Sequence, residues 1–396
     1  MKKVIFLVDM NAFFISCEMT RYSHLIGKPA AVAGDPKKRT GIILAANYEA
    51  RNFGVKTAMV LHRALELCPD LLLVPPDHQF YQKKSNEVME ILSNYTPVVE
   101  KNSIDEAWLD MTGTEGLFGP PTKAAEKIMN DLKDQLGLWC SVGISENKFL
   151  SKMASEFKKP LGITELWRKD MKKKMWPLPI NMMYGVGEKT ATRLNRMGIK
   201  TIGDLALFDR NYLIKNLGKS GLDLYEKANG IDPSPIVANS PEEIKSIGRS
   251  TTLSEDTSDL ETLKDILMEL SEDVGITARK HQKKGRTVQI TLKFSDFQVI
   301  TRQTPVAPTC FTKEIYRAGY QLLKSNLKDA KKVRLIGITL GGFDDYDQLE
   351  QLSFFDTTKN TKHEKIDEVM DKIRGKYGFK KINRASLLKD RLKDRE

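Results

Sequence analysis

Residues 4–8, VIFLV, form a continuous apolar run that stops at Asp9. That is the pattern of a central strand, buried on both faces, that delivers a carboxylate at its end. A helix is expected from about Phe13. Over 98–111, VVEKNSIDEAWLDM mixes β-branched and alternating positions and predicts a hairpin, and CSVGISENK over 140–148 predicts a strand leading into a helix. These strands can form one sheet that carries acids. Residues 25–76 make a separate small mixed region, with a strand at GIILAAN and a helix at HRALELC. From Pro179 to Ile231 short helices alternate with glycines, and MMYGVGEKTATRLNRMGIKTIGDLALF predicts helix, G-V-G turn and helix in direct succession. The stretch IDPSPIVANSPEE, rich in Pro, Ser and Asn, reads as a linker. Over 246–342 the order strand, helix, strand, strand, helix, strand predicts a second, separate α+β domain. An isolated QLSFFD follows, then a highly charged tail with one amphipathic helix near HEKIDEVMDKIRGKYG.

At 396 residues the chain is long enough for two to four domains of about 100–200 residues each. Hydrophobic residues at 40% and charged residues at 29% describe a globular chain rather than a disordered one. No apolar run reaches the ~20 residues that cross a bilayer. The N-terminal apolar stretch is short, breaks at Asp9 and has no small-residue cleavage site, so a cytoplasmic location is expected. Cys17, Cys68, Cys140 and Cys310 are far apart with no CxxC pair, which points to neither a zinc site nor a disulfide framework. The excess of 63 Lys+Arg over 52 Asp+Glu, a net +11, favours a polyanionic partner without naming it.

Candidate chemistry begins with carboxylates. Asp105 and Glu106 are adjacent in SIDEA, and Asp9 ends an apolar strand about a hundred residues earlier. Brought together, three carboxylates repel unless cations sit among them, and hard oxygen ligands of this kind suit Mg²⁺. Two such ions about 3.5–4 Å apart can stabilise both the attacking and leaving oxygens of a phosphoryl displacement. Taken alone, Asp105 and Glu106 read better as ordinary solvated hairpin residues. Because successive strand side chains point to opposite faces, both can serve one site only at a bend or strand edge.

In ANYEARNFGVKTAM, Tyr48 and Arg51 share a face of a helix and can hold a triphosphate, or simply pack together at the surface. Lys158 and Lys159 precede Pro160, where a lysine can meet phosphates or merely complement a helix C-terminus. LGKSG over 217–221 is no P-loop, because Leu213 stands where that motif needs glycine. The Gly185-Val186-Gly187 turn is either a helix-hairpin-helix offering backbone N–H groups to DNA phosphate or a plain corner. Lys245, Arg249, Lys280, Lys283, Lys284, Arg286, Lys293, Arg302, Lys331, Lys332 and Arg334 gather in or near the second domain, as a DNA-binding surface or a solvated face.

VDMNAFF, AANYEAR, NSIDEA, SKMASEFKKPLGI, the GVG hairpin and SIGRSTTL, in this order and spacing over roughly 1–345, resemble the Y-family DNA polymerases of the DinB and UmuC type. The resemblance implies an α+β multidomain, right-hand fold. Its palm would be 1–12 and 78–165, its fingers 13–77, its thumb 166–230, a linker 231–243, and a DNA-gripping little finger 244–345 before a tail over 346–396. It implies Asp9, Asp105, Glu106 and the Met10 backbone carbonyl as ligands of two Mg²⁺ ions. Tyr48, Arg51 and Lys159 become triphosphate contacts of the incoming dNTP, and Phe14 the steric gate under its deoxyribose. Ile42, Leu44 and Ala58 become the roof over the nascent pair. Gly185, Gly187, Arg249, Arg286 and Arg334 become contacts to the backbone of primer-template DNA.

QLSFFD is similar to bacterial sliding-clamp peptides, with Gln351, Leu352, Phe354 and Phe355 as anchors on the clamp's β subunit. Asn11 departs from the Asp usual in DinB-type members and is like UmuC-type and some Gram-positive damage-repair relatives. The expected function is low-fidelity translesion DNA synthesis by a clamp-tethered monomer that does not proofread and needs no membrane. Two alternatives are a catalytically weak protein that binds damaged primer ends and recruits the clamp, and another two-metal phosphotransferase such as a nuclease or nucleotide cyclase. The intact acids count against the first, and the thumb-like hairpin and clamp peptide against the second.

Overall fold

In the computed structural model the strand expected after the N-terminus is β1 (Ile5–Met10), buried at all its positions. Residues 3–35, 41–238, 244–327, 331–343, 361–378 and 382 are described, and the chain divides into two units, Met1–Pro241 and Glu242–Glu396. In the first unit β2 (Ala30–Ala33), β3 (Ile43–Ala46) and β4 (Leu72–Val74) form a small sheet in the order β3-β2-β4. The strands β5 (Val99–Lys101), β6 (Glu106–Asp110), β7 (Cys140–Ser145) and β8 (Ile163–Glu165) join β1 in the order β5-β6-β1-β7-β8.

Strand alternation splits β1 between two environments. Phe6, Val8 and Met10 enter the main core together with Phe13, Tyr81, Val88, Ile128 and Leu132 of the covering helices. Ile5 and Leu7 point the other way and meet Trp108. That face is covered by the helix Lys148–Phe157, which Asn147 caps by accepting the Leu150 N–H at 2.8 Å. The helix can lie this close because β7 carries Gly143 beneath it. A Cβ there would run into the Ser151 carbonyl oxygen and stand 2.5 Å from the Ser155 nitrogen.

The first part of the expected linker does not hang free. Ile236 packs on Ile5, Leu7 and Trp108, Asp232 accepts the Phe149 N–H at 2.9 Å, and the Val237 N–H donates to Glu100 at 2.8 Å. Asp232 thus caps the neighbouring helix while Glu100 satisfies the strap's own backbone at Val237.

The helical stretch has its own core around Met175, Leu194, Ile199, Ile202, Leu205 and Leu213. Its G-V-G turn is preceded by only one 3₁₀ turn, Ile180–Met182, instead of the expected helix, because Met183 turns extended (φ −72°, ψ 126°) and Gly185 takes a positive φ. Gly218, at φ 63°, joins the helices Arg210–Leu217 and Lys219–Ala228, so no strand leads into LGKSG.

The second unit has the expected element order: β9 (Ser246–Thr257), a helix Leu260–Lys280, β10 (Gly285–Phe294), β11 (Val299–Thr309), a helix Thr312–Asn326 and β12 (Val333–Phe343). The strands pair antiparallel in the order β11-β10-β12-β9 with both helices on one face. The tail helix Thr361–Tyr377 is present and docks on this unit. Its Asp367, Met370 and Arg374 are buried, and Arg279 pairs with both Asp367 and Asp371 while Arg374 pairs with Glu272. The spacing 367, 370, 371, 374 is one helical face. The four cysteines are free and buried. Among the described residues no helix is long and apolar enough to cross a membrane.

Candidate active site

Register places the acids. In the antiparallel pair β1–β6, Asp9 stands directly opposite Glu106, and side chains so paired lie on one face within about 5 Å. Asp105 falls in the bend just before β6, where its carbonyl accepts the Met10 N–H at 2.9 Å and its carboxylate accepts the Ser103 hydroxyl. A cavity of about 370 Å³ is lined by Asp9, Met10, Phe14, Leu44, Tyr48, Arg51, Asp105, Glu106 and Lys159, together with Asn11, Lys152 and Glu156. Most of the residues expected to bind metal and nucleotide, spread over 150 positions of chain, thus share one cavity.

Lys152 was not singled out in the sequence, and it is the most heavily engaged cation of the site. Its Nζ lies 2.8 Å from Asp9 Oδ2, 2.5 Å from Glu106 Oε2 and 3.2 Å from Glu156 Oε1. Lys159 lies 2.9 Å from the same Asp9 oxygen and 2.7 Å from Glu156. Burial by itself would raise the Asp9 carboxyl, but the two ammonium groups outweigh it and hold it below the usual range. Burial wins at Glu106, whose carboxyl is raised despite Lys152. Lys152 is pushed well above an ordinary lysine, because Asp9 and Glu106 overcome its own desolvation.

Among the described residues, no three His, Cys, Asp or Glu side chains stand close enough to enclose a metal ion as placed. The donor set nonetheless fits a divalent cation. Oxygens of Asp9 and Glu106 converge on one cation, the Lys152 ammonium, and hard carboxylate oxygens are the ligands divalent ions take.

Tyr48 opens a short helix, Tyr48–Asn52, capped by Asn47. Arg51 stacks over the Tyr48 ring, 4.8 Å from its centroid, and its Nε donates to the Ala46 carbonyl at 2.9 Å. Burial raises the Tyr48 hydroxyl, which keeps it a neutral donor. Phe14 follows a left-handed Ala12 (φ 49°, ψ 46°) that turns the chain from β1 into the next helix. Its ring stacks on Tyr81 at 4.5 Å and 15° and meets His78 edge-on, so it is backed on the side away from the cavity. Tyr81 is itself fixed by a 2.7 Å hydrogen bond to Glu18. Leu44 lines the cavity, whereas Ile42 and Ala58 fall outside its lining. Ile42 shares Leu44's strand face and bridges to Val60, and the Ala58 N–H donates to the Ile43 carbonyl at 2.8 Å.

Comparison with known proteins identifies the family. The impB/mucB/samB family matches residues 8–156, its C-terminal domain matches 244–354, and a DNA polymerase-iota thumb domain matches 182–232. The chain belongs to the Y-family DNA polymerases. A DNA polymerase IV of Alkaliphilus oremlandii is 61% identical over 396 residues, 98% of this chain and 100% of that protein. One of Clostridium kluyveri is 59% identical, covering 98% and 99%. Among solved structures, a Y-family DNA polymerase chimera matches with a TM-score of 0.76 at 27% identity, over 86% of this chain and 99% of that one. DinB from Sulfolobus solfataricus matches over the same shares at 0.56 and 27%.

These relatives put the polymerase on the DinB side. The structure shows what Asn11 does: its Nδ2 donates to Ser141 at 3.0 Å and its Oδ1 accepts the Leu161 N–H at 3.0 Å, linking β1 to the loop that carries Lys159.

The expected DNA-backbone contacts are scattered. Gly185 takes φ 91°, a conformation that favours glycine, and Gly187 is the N-cap of the helix Glu188–Arg196. Arg249 bonds the Gly248 carbonyl and the Thr277 hydroxyl of the neighbouring helix. Arg286 is near the start of β10, while Arg334 lies beside that strand's far end, stacked 4.8 Å over Phe297 together with Lys293. Gln351, Leu352, Phe354 and Phe355 lie outside the described residues.

Proposed function

We propose that this polymerase performs low-fidelity translesion synthesis by Mg²⁺-dependent nucleotidyl transfer at the Asp9, Asp105 and Glu106 cavity, without proofreading and as a monomer tethered to the sliding clamp. The observation that carries the reading is the Asp9–Glu106 pairing across β1 and β6, with Tyr48, Arg51 and Lys159 lining the same cavity. Asp9, Asp105, Glu106 and the Met10 carbonyl would hold two Mg²⁺ ions. When bound, the ions activate the primer hydroxyl and neutralise charge on the triphosphate.

The protein's own groups position the reactants. Arg51 offers paired charge-assisted hydrogen bonds to phosphate oxygens, Lys159 a compact positive charge, and Tyr48 a neutral O–H donor. The primer 3′-hydroxyl gives up its proton to solvent as its oxygen attacks the α-phosphorus of the dNTP, the bond from that phosphorus to the bridging oxygen breaks, and pyrophosphate leaves. Phe14, backed by Tyr81, lies under the sugar and leaves no room for a 2′-hydroxyl, while Ile42, Leu44 and Ala58 roof the nascent pair. Gly185, Gly187, Arg249, Arg286 and Arg334 grip the DNA backbone, and Gln351, Leu352, Phe354 and Phe355 engage the clamp.

The test is primer extension with dNTPs and Mg²⁺ on undamaged and abasic templates, comparing wild type with an Asp105→Ala, Glu106→Ala double variant. Extension should occur on both templates and vanish in the variant. A wild type that binds primer ends and clamp but does not extend would replace this reading with that of a damage-binding protein.

A further inference from the structure

The cation between Asp9 and Glu106 belongs to the protein itself. Lys152 lies on the helix Lys148–Phe157, one residue after Ser151, and that helix is held against β7 by the close approach at Gly143. Its backbone therefore has little freedom, but its four-carbon stem has. The ammonium touches three carboxylates, of which Asp9 and Glu106 are side chains of paired strands and Glu156 is four residues along the same helix. Side chains four apart on a helix are neighbours, so Lys152 can release the first two and stay paired to the third. Glu156 is the more exposed partner, its side chain 46% accessible against 11% and 12% for Asp9 and Glu106.

We propose that Lys152 is a positioning residue that holds the Asp9 and Glu106 carboxylates together before a divalent cation binds, and swings onto Glu156 to admit it. The inference rests on the proposed metal-binding role of Asp9, Asp105 and Glu106. It makes Lys152 an internal competitor. It keeps two repelling carboxylates assembled in the metal-free protein and, for the same reason, weakens divalent binding. Glu156 supplies the place to which the displaced charge moves.

The test uses the full chain without DNA or nucleotide. Mn²⁺ binding is measured by calorimetry, and the thermal midpoint is measured in EDTA and in saturating Mg²⁺, for wild type, Lys152→Met, Lys152→Arg, Glu156→Gln and the Asp105→Ala, Glu106→Ala double variant. Lys152→Met should bind Mn²⁺ about tenfold more tightly, the worth of roughly one lost competing ion pair. Its midpoint should fall in EDTA and recover in Mg²⁺, whereas Lys152→Arg should keep the wild-type midpoint in EDTA. Glu156→Gln should bind Mn²⁺ more weakly than wild type, because the displaced ammonium loses its resting place.

Unchanged Mn²⁺ affinity in Lys152→Met, with the midpoint lowered equally in EDTA and Mg²⁺, would overturn the proposal and leave Lys152 an ordinary stabilising lysine. If the double variant binds Mn²⁺ as well as wild type does, it is the assignment of the metal site that fails. Should Lys152→Met not fold, Lys152→Arg and Glu156→Gln carry the comparison on their own affinities.

Discussion

Replacing Gly143 by alanine perturbs the site from behind. The added methyl would stand 2.5 Å from the Ser155 nitrogen and 3.1 Å from the Ala154 Cβ, and closer still to the Ser151 carbonyl oxygen. Ordinary carbon contacts need about 3.5–4.0 Å, so the helix Lys148–Phe157 must withdraw by roughly 1 Å or more. Overpacking of this kind costs about 1–3 kcal/mol, and each kcal/mol lowers the midpoint of a unit of this size by about 2–4 °C. Lys152 follows Ser151 directly, so the displacement reaches the Asp9–Glu106 pair. A misplacement of about 1 Å near reacting groups can cost on the order of 10²-fold in rate.

The assay is single-nucleotide incorporation under single-turnover conditions beside thermal unfolding, with Gly116→Ala as control. A Cβ at Gly116 meets nothing within 4 Å. The reasoning is refuted if Gly143→Ala incorporates nucleotide and melts as Gly116→Ala does, because the helix would then not be seated on that glycine.

Phe14→Ala should lower discrimination against ribonucleotides by at least about tenfold, and Tyr81→Leu should do so by less, since it only loosens the ring's backing. The ratio of kcat/KM for dNTP and rNTP reads both, and an unchanged ratio in Phe14→Ala removes the gate. Asp367 is 3% exposed and accepts both the Thr312 N–H at 3.0 Å and the Arg279 guanidinium at 3.3 Å. Asp367→Ala should cost about 2–4 kcal/mol in urea unfolding of the second unit. A loss under about 0.5 kcal/mol would mean that the tail helix contributes little there. Combined Phe354→Ala and Phe355→Ala should abolish binding to the sliding clamp while leaving short-primer extension intact, as surface plasmon resonance and gel assays would show. Retained clamp binding would exclude this peptide as the tether.

Local pattern determined a good deal by itself. The apolar run ending at Asp9, the hairpin over 98–111 and the strand-helix order of the second unit are all present where periodicity put them. Periodicity reports which faces are buried, and that is a property of neighbouring residues. The family, too, was legible, because its motifs are short and fall in a fixed order. The absent helix before the G-V-G turn shows where local reading slips, since the chain turns extended at Met183 within an otherwise helical pattern.

What only the tertiary structure decided are relations between distant residues. Asp9 meets Glu106 because β1 and β6 pair in one register, and a slip of one residue would turn one carboxylate to the other face. Lys152 reaches Asp9 across 143 positions of chain. Its helix could not disclose that, because a lysine on a helix looks the same whether it faces solvent or a buried acid. The same holds for Tyr81 behind Phe14, for Arg249 turned to Thr277, and for the 231–237 stretch laid over Trp108. Register, helix seating and the choice of ion-pair partner are settled by packing over the whole unit, and no window of sequence contains both members of such a pair.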